Sequence, residues 1–273
     1  MRFHVVTGLP RSGSTLLCNV LNQNPKFYAS STSPLPAFLN TLVHTWSNSV
    51  EVKGLLDKQP EETEERLKAT AKGLIDNWYA SFRNEDVIFD KSRAWSASSL
   101  LLKKVYPEAK IIVCVRNLVN VFASVEKQHR RNPLLDDATS PIEKTVYSRA
   151  DGMFSPDGLI GAPIIGIEDL IRRAPDGVIY VQYESFSREP AMIMERLYTE
   201  LEEEVYDHDF DNVKNVAEDP DGFYLHKYPH KGEGKISPCN LEEWKDYISV
   251  DLAMTIKNRF PDYNNFFGYV NNP

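Results

Sequence analysis

The start of this chain carries the feature that most constrains its fold: a short apolar strand, a glycine-containing loop and the beginning of an apolar helix. The loop at residues 8–15 reads GLPRSGST and has the G-x-x-x-x-G spacing of a phosphate-binding P-loop. Backbone N–H groups of such a loop, together with the N-terminus of the following helix, bind anions. A strand, loop and helix in this order favour an α/β fold with an anion site near the N-terminus.

One residue of the loop departs from the P-loop of an NTPase. Ser14 stands where the NTPase carries the lysine that reaches the β- and γ-phosphates. The loop has Arg11 in addition, and a guanidinium favours bidentate contact with an anionic group. We therefore expect Ser12, Gly13, Ser14 and Thr15 to offer amides and hydroxyls to an anion other than the β,γ-phosphates of ATP. A glycine- and serine-rich turn without a ligand is the alternative.

Composition excludes some classes of function. The 273 residues are 42% hydrophobic and 26% charged, which is ordinary for a soluble globular protein with a sizeable core. A net charge of −8 argues against a general nucleic-acid binder. The three cysteines are far apart and lack C-x-x-C spacing, so we predict buried thiols in a reducing compartment. With no signal peptide and no apolar run of about 18 residues, we expect a cytoplasmic protein without a membrane span.

Strand and helix patterns alternate along the chain. Apolar runs predict strands at residues 3–7, 87–90, 110–116 and 178–183, and their continuous apolar character suits a sheet covered on both faces. Helical periodicity predicts helices at residues 61–82, 96–106, 117–131, 188–203 and 242–260. The pattern predicts an α/β, three-layer, P-loop-like fold with a mostly parallel sheet of about five strands, in a single domain over residues 1–273.

Two segments do not follow this pattern. Residues 25–60 and 132–166 are rich in Pro, Ser and Gly and are long for simple connections. We expect them to be loops or lids around a substrate, with an ordered surface excursion as the alternative.

Charged residues follow two of the predicted strands. Arg116 ends the strand at 110–116, where a Walker B strand would carry an aspartate for Mg²⁺. Lys91 follows Asp90 at the end of the strand at 87–90. Ligands of open α/β sheets bind at the carboxyl ends of strands, so these cations are candidate site residues, with surface salt bridges as the alternative. A basic loop, HKGEGK at residues 230–235, is a candidate phosphate lid or a plain exposed loop.

Together these motifs resemble the PAPS-dependent sulfotransferases, and their wording is closest to the tyrosylprotein and the bacterial or phage-type branches. The resemblance rests on three motifs: GLPRSGSTLL at residues 8–17, Arg116 followed by Ser124 after seven intervening residues, and HKGEGK. It extends to KVYPEAKIIVCVRN at 104–117, VQYESFSREPAMIMERL at 181–197 and NLEEW at 240–244.

The resemblance implies a set of site residues for the nucleotide. The loop at residues 11–15 is expected to bind the 5′-phosphosulfate of PAPS, and Arg116 with Ser124 its 3′-phosphate. Tyr183 is expected near the nucleotide, and Lys231 and Lys235 belong to the lid that would close over it.

The resemblance also implies the reaction. A sulfuryl group passes from PAPS to a hydroxyl acceptor and 3′-phosphoadenosine 5′-phosphate (PAP) is released, with Arg11 and Lys91 as the catalytic cations. No metal is expected, because this nucleotide has no γ-phosphate to coordinate. An alcohol, a phenol, a protein tyrosine, a carbohydrate and a lipid all stay open as acceptors, and the oligomeric state is open as well. A P-loop kinase and a non-catalytic nucleotide-binding protein are the alternative functions.

Two residues of the tyrosylprotein branch are missing from this chain. That branch has a glutamate about 20 residues beyond the loop arginine, thought to be the general base, whereas residues 29–33 here read ASSTS. His44, Glu51 and Asp90 are the alternative bases. The branch also has a second arginine twelve residues after the first, and this chain has Gln128 there, with Lys127 or Arg130 as substitutes.

Overall fold

The computed structural model describes residues 2–82, 86–132, 145–217, 219, 229 and 232–269, and a parallel sheet lies at its centre. The strands of this part of the chain are β1 (Arg2–Gly8), β2 (Phe27–Thr32), β3 (Val87–Lys91), β4 (Ile111–Val115) and β5 (Val178–Gln182). Their order is β2-β3-β1-β4-β5, and each neighbouring pair is parallel.

Helices connect the strands. They are α1 (Ser14–Leu21), α2 (Leu35–Asn48), α3 (Val50–Lys58), α4 (Pro60–Trp78), α5 (Ser99–Val105), α6 (Leu118–Arg131), α7 (Val146–Met153), α8 (Gly161–Arg173), α9 (Tyr183–Arg188), α10 (Pro190–Leu201), α11 (Val250–Arg259) and α12 (Pro261–Phe266). Short 3₁₀ turns lie at Ala80–Phe82, Arg93–Trp95 and Glu243–Asp246. Of the helices described, none combines the length and the apolar character that crossing a membrane requires.

The core has two halves, one on each face of the sheet. Successive side chains of a strand point to opposite faces, so Val5 and Val6 of β1 belong to different clusters. Val5 packs in the cluster that contains Phe122 of α6, and Val6 packs in the cluster that contains Leu17 of α1 and Leu197 of α10. All of these side chains are fully buried. The predicted three-layer α/β architecture with about five strands is confirmed.

Local structure agrees with the sequence pattern where the pattern was strongly apolar. All four predicted strands are present, and the helix predicted at 117–131 is α6. The helix predicted at 188–203 is α10, which begins two residues later at Pro190, because proline lacks the N–H that a helix interior needs, and ends at Leu201. The stretch predicted at 242–260 is a 3₁₀ turn followed by α11.

The segment at residues 25–60 differs from the loop that its composition suggested. It contains β2, α2 and α3. Among the described strands, β2 pairs only with β3 and is therefore an edge strand, so its sequence FYASST needs no continuous apolar run. In the other predicted loop, α7 and the start of α8 occupy part of residues 132–166, and residues 133–144 lie outside the described part of the chain.

The turn from β1 into the loop requires a glycine. Gly8 has φ +134°, and a Cβ built on it would lie 2.0 Å from the carbonyl oxygen of Cys114 on β4. We expect Gly8→Ala to lower the free energy of unfolding by about 3 kcal/mol or more, from backbone strain and forced displacement of β4. Urea denaturation measures this loss.

Gly73→Ala is the matched control for that substitution. Gly73 lies inside α4, and nothing lies within 4 Å of the position of its Cβ. Its replacement should stabilise the protein by about 0.5–1 kcal/mol, through helix propensity alone. Equal stability changes in the two variants would contradict the close approach of β1 to β4.

Candidate functional site

The loop between β1 and α1 has the backbone of an anion-binding turn. Arg11 and Gly13 adopt left-handed conformations, with φ of 60° and 82°. Gly13 is the N-cap of α1, no described side chain caps this helix, and its first turn contains no acidic residue. The amides of the first turn therefore have no side-chain acceptor from the cap, which is the arrangement that suits an anionic ligand.

The Ser12 hydroxyl stabilises the loop from within. It is buried and donates a hydrogen bond of 2.7 Å to the carbonyl oxygen of Leu9. A contact between Ser12 and a phosphate, as the sequence predicts, would therefore come from its amide. The predicted roles of Ser12 and Ser14 stay predictions.

Four of the predicted site residues lie together beside the loop, and we call them the arginine cluster: Arg11, Arg116, Ser124 and Tyr183. Arg11 Nε donates to Ser124 Oγ at 3.2 Å. Arg116 Nη1 donates to the carbonyl oxygen of Arg11 at 2.9 Å. The Arg116 guanidinium lies 4.6 Å from the centroid of the Tyr183 ring, a cation–π distance. The ring itself packs so close to Gly13 that a Cβ there would lie 2.5 Å from Tyr183 Cδ2.

Arg116 is held at the end of β4 by its backbone. Tyr263 OH accepts a hydrogen bond from the Arg116 amide at 3.2 Å and donates one to its carbonyl oxygen at 2.9 Å. Arg116 Nε is buried and makes no hydrogen bond within the described residues. Buried N–H groups of a guanidinium are normally satisfied, so this one indicates a position for an anionic acceptor.

A second group of polar residues, called here the lysine cluster, lies on the other side of the loop: Lys91, Thr15, Thr32 and Asp219. Lys91 Nζ donates to Thr15 Oγ1 at 2.8 Å and to Asp219 Oδ2 at 2.5 Å. Thr15 Oγ1 donates to Asp219 Oδ2 at 2.6 Å. The amide and the hydroxyl of Thr32 donate to Asp219 Oδ1 at 3.0 and 2.7 Å.

Electrostatics keep the Asp219 carboxyl ionised. Burial by itself would raise its pKa, because the charged form loses hydration. The Lys91 ammonium and the hydrogen bonds from Lys91, Thr15 and Thr32 outweigh burial and hold the pKa of Asp219 well below its ordinary value of 3.8. The side chains of Lys91 and Asp219 are only 8% and 2% exposed, so little solvent screens the pair.

Asn19 of α1 attaches the C-terminal part of the chain to the loop region. Its Oδ1 accepts from the amides of Val216 and Ala217 at 3.0 and 2.8 Å. Its Nδ2 donates to the carbonyl oxygen of Gly232 at 2.7 Å. These bonds connect α1 with residues 216–217 and with Gly232.

Of the two lysines of the predicted lid, the structure describes Lys235 but not Lys231. Lys235 forms an exposed ion pair with Asp211 at 2.8 Å, and in the part of the chain that is described it makes no contact with the loop. Lys231 lies outside the described residues. Their contribution to nucleotide binding stays a prediction.

In the described part of the chain, no hydrogen bond or ion pair joins the three candidate bases to the lysine cluster. His44 is exposed on α2 beside Asn48, and Glu51 is exposed on α3, where a hydrogen bond from Ser49 lowers its pKa. Asp90 is buried on the opposite side of β3 from Lys91 and accepts hydrogen bonds of 2.5 Å from Tyr79 and from Trp95.

Asp90 differs from Asp219 in its electrostatics. Burial raises the pKa of Asp90 even though Tyr79, Ser33 and Trp95 donate hydrogen bonds to it.

Lys127 and Arg130 are the two residues expected to substitute for the second arginine of the tyrosylprotein branch, and both form ion pairs. Lys127 pairs with Glu243 and Arg130 with Glu126. The first pair joins α6 to the 3₁₀ turn at Glu243–Asp246, whereas the second lies within α6.

A cavity of about 310 Å³ opens beside the end of β2. It is lined by Tyr28, residues 30–34, Trp78 and Tyr79. Hydroxyl groups form one part of its wall and aromatic rings another. Thr32 belongs both to this wall and to the lysine cluster, so the cavity and the Asp219 carboxylate are neighbours.

Sequence reasoning missed Asp219, Thr32 and Asn19. No local pattern marks Asp219, which is 128 residues from its partner Lys91 and lies in a polar stretch with other acidic residues. Thr32 lies in a segment that was expected to be a loop. Asn19 could have been identified from the sequence, because it is a polar residue within the apolar run of α1. Such a residue is buried only when it is hydrogen-bonded.

Comparisons with known proteins are consistent with this geometry. A family model described as "Sulfotransferase family" matches residues 5–208. A search of curated proteins found no match.

Several solved structures share the fold. The sulfotransferase domain of the Synechococcus PCC 7002 olefin synthase is 20% identical, with a TM-score of 0.53 over 95% of this chain and 94% of that one. A sulfotransferase from Alicyclobacillus acidocaldarius is 16% identical, with a TM-score of 0.51 over 100% and 96%. A mouse sulfotransferase complexed with PAP is 11% identical, with a TM-score of 0.51 over 97% and 84%.

The Lys91–Asp219 pair predicts a pH dependence of stability. Because the pKa of Asp219 is depressed in the folded state, its contribution is complete above the ordinary carboxyl pKa and is lost progressively as the pH falls from that value towards the lower folded-state pKa. The free energy of unfolding should therefore fall more steeply for the wild type than for Asp219→Asn between about pH 5 and about pH 3. Urea denaturation at each pH measures the two slopes.

Asp57→Asn controls for the loss of a carboxylate. Asp57 is exposed in α3 and forms no ion pair among the residues described. This variant should keep the wild-type pH slope. Parallel curves for the wild type and Asp219→Asn would show that the pair does not form in solution.

Proposed function

This chain belongs to the sulfotransferase family, and we propose that it transfers the sulfuryl group of PAPS to a hydroxyl acceptor and releases PAP. The observation that carries the proposal is the meeting of Arg11, Arg116 and Ser124 beside an anion-binding turn. Cations supplied by the loop and by the end of β4 suit a nucleotide with phosphate groups at two positions. The PAP bound to the mouse sulfotransferase supports this choice of donor.

Arg116 and Ser124 of the arginine cluster are the proposed site of the 3′-phosphate. Arg116 offers a buried Nε–H without a hydrogen-bond partner in the described chain, and Ser124 offers a hydroxyl close by. A phosphate oxygen satisfies both groups, and a hydrogen bond between charged partners is about twice as strong as a neutral one. The face of the Tyr183 ring lies against the Arg116 guanidinium and limits its orientation.

The loop and the lysine cluster are the proposed site of the 5′-phosphosulfate. Amides of residues 12–15 and the Thr15 hydroxyl would hold the 5′-phosphate. Lys91 would place a compact positive charge at the oxygen that bridges phosphorus and sulfur, where negative charge develops as the bond breaks. Arg11 would add a second cation at the sulfuryl oxygens. Positioning and charge stabilisation would supply most of the acceleration, as in phosphoryl transfer.

The proposed enzyme needs no metal ion and is located in the cytoplasm. The cations named above replace the Mg²⁺ and the P-loop lysine of an NTPase. A kinase would require that lysine, and this chain has Ser14 in its place.

Binding measurements with two nucleotides test the 3′-phosphate site. We expect Arg116→Ala to weaken PAP binding by about 10- to 100-fold, since a hydrogen bond to a charged group contributes about 1.5–3 kcal/mol. Ser124→Ala should weaken it less. Binding of AMP, which has no 3′-phosphate, should change little in either variant. Isothermal titration calorimetry gives the ratio of PAP to AMP affinity for each protein.

Arg172→Ala is the control for loss of an arginine. Arg172 is exposed on α8 and pairs with Asp262 and Glu168. It should keep the wild-type ratio of affinities. A wild-type chain that prefers ATP with Mg²⁺ over PAP would contradict the proposed donor, and an unchanged ratio in Arg116→Ala would remove that residue from the site.

Turnover tests the role of Arg11. With ³⁵S-labelled PAPS and a panel of a phenol, an aliphatic alcohol, a carbohydrate and a tyrosine peptide, the wild type should label at least one acceptor. Arg11→Ala should lower kcat by about 10²-fold, the loss typical of removing one charge-stabilising donor, and change PAP affinity much less. A wild type that binds PAP and labels none of the panel would instead favour a non-catalytic nucleotide-binding protein.

A further inference from the structure

We propose that Asp219 is the general base that accepts the proton of the acceptor hydroxyl, and that the acceptor occupies the cavity beside β2. The assignment rests on the proposed function, because it names a residue for the sulfuryl transfer proposed above. Asp219 supplies the carboxylate that residues 29–33 lack, where the tyrosylprotein branch has its glutamate.

The position of Asp219 is the first argument. Its carboxylate touches Lys91 on one side, and Lys91 is the proposed contact to the bridging oxygen of the donor. On the other side it is bound by Thr32, which lines the cavity. A general base must lie between the reacting sulfuryl group and the acceptor, within hydrogen-bond reach of the acceptor proton. The carboxylate of Asp219 is thus bonded both to the proposed donor cation and to Thr32, a residue of the cavity wall.

The chemistry of the cavity is the second argument. Its volume of about 310 Å³ is at the lower end of the range for small-molecule sites. Tyr28, Trp78 and Tyr79 offer aromatic surface, and the serines of residues 30–33 offer hydroxyl partners. This lining suits a small compound that combines an aromatic or aliphatic body with a hydroxyl group.

The two carboxylate oxygens of Asp219 have different partners, which is the third argument. Oδ1 is held by the amide and the hydroxyl of Thr32, and Oδ2 by Lys91 and Thr15. Lys91 and Thr15 are also the proposed contacts to the phosphosulfate. When they turn to the donor, Oδ2 loses their hydrogen bonds, while Thr32 keeps the carboxylate in place through Oδ1. Thr32 is thus a positioning residue.

Donor binding would also make Asp219 a stronger base. The Lys91 ammonium is the main attraction that lowers the pKa of Asp219, and burial acts in the opposite direction. Sharing of that ammonium with the donor therefore raises the proton affinity of the carboxylate at the moment when the acceptor proton must leave.

In the proposed step, the acceptor oxygen forms a bond to sulfur, and its proton passes to Oδ2 of Asp219. The bond between sulfur and the bridging oxygen breaks, and its electron pair remains on the 5′-phosphate of PAP, where Lys91 stabilises the charge. Asp219 then returns its proton to solvent when the products leave.

The test separates turnover from nucleotide binding in Asp219→Asn. With the acceptor of the panel that the wild type uses fastest, we expect kcat to fall by about 10²-fold or more, as for loss of a general base. PAP affinity should stay the same or increase, because the substitution removes a negative charge beside the anion site. Asp57→Asn should retain wild-type values of both.

Chemical rescue provides a second readout that a purely structural role would not change. Asp219→Ala leaves space for a small carboxylate, so added formate should restore part of the lost turnover, and chloride at the same ionic strength should not. Rescue by formate with PAP affinity intact would support the assignment.

Three results would overturn the assignment. The first is an Asp219→Asn variant that keeps more than about one tenth of wild-type kcat, since a general base contributes about 10²-fold or more. The second is a parallel loss of PAP affinity and turnover without rescue by formate, which would make Asp219 structural. The third is a wild type that labels no acceptor of the panel, which contradicts the proposed function and the assignment with it. The first two contradict the assignment alone.

Discussion

The parallel pairing of β1 with β3 on one side and β4 on the other is the constraint on which the site depends. In this register Val6 lies opposite Lys91 and Gly8 lies opposite Cys114. The loop after β1 therefore emerges at the same sheet edge as Lys91 and as Arg116, which follows β4. Because parallel strands end together, three cations that are far apart in sequence meet around one anion-binding turn.

Charge compensation differs between the two sides of that turn. Lys91 has a full counter-charge, the Asp219 carboxylate at 2.5 Å. Within the described part of the chain, the Arg116 guanidinium contacts only a carbonyl oxygen and the face of the Tyr183 ring, and its buried Nε–H has no acceptor there. Unpaired buried N–H groups are costly, so the arginine side favours the binding of an anionic ligand. The lysine side instead favours an exchange of one anion for another.

Local patterns predicted much of the fold because they report local physics. Apolar runs identified β1, β3, β4 and β5, since a strand covered on both faces must be apolar throughout. The same reasoning could not find β2, whose six residues include two serines and a threonine, because an edge strand beside a polar cavity has no such requirement. Helix boundaries at Pro190 and within residues 242–260 were missed because short apolar periodicity does not mark where a helix is interrupted.

The sequence by itself determined the α/β class and the position of the turn between β1 and α1, because glycine spacing and strand-to-helix order are read within a few residues. It also identified Arg11, Arg116, Ser124 and Tyr183, which the fold brings into contact. Only the tertiary structure decided that Asp219 pairs with Lys91 and that Thr32 holds the carboxylate next to a cavity. The reason is physical: an ion pair between residues 128 positions apart has no local signal, and its strength arises from burial that only the complete packing creates.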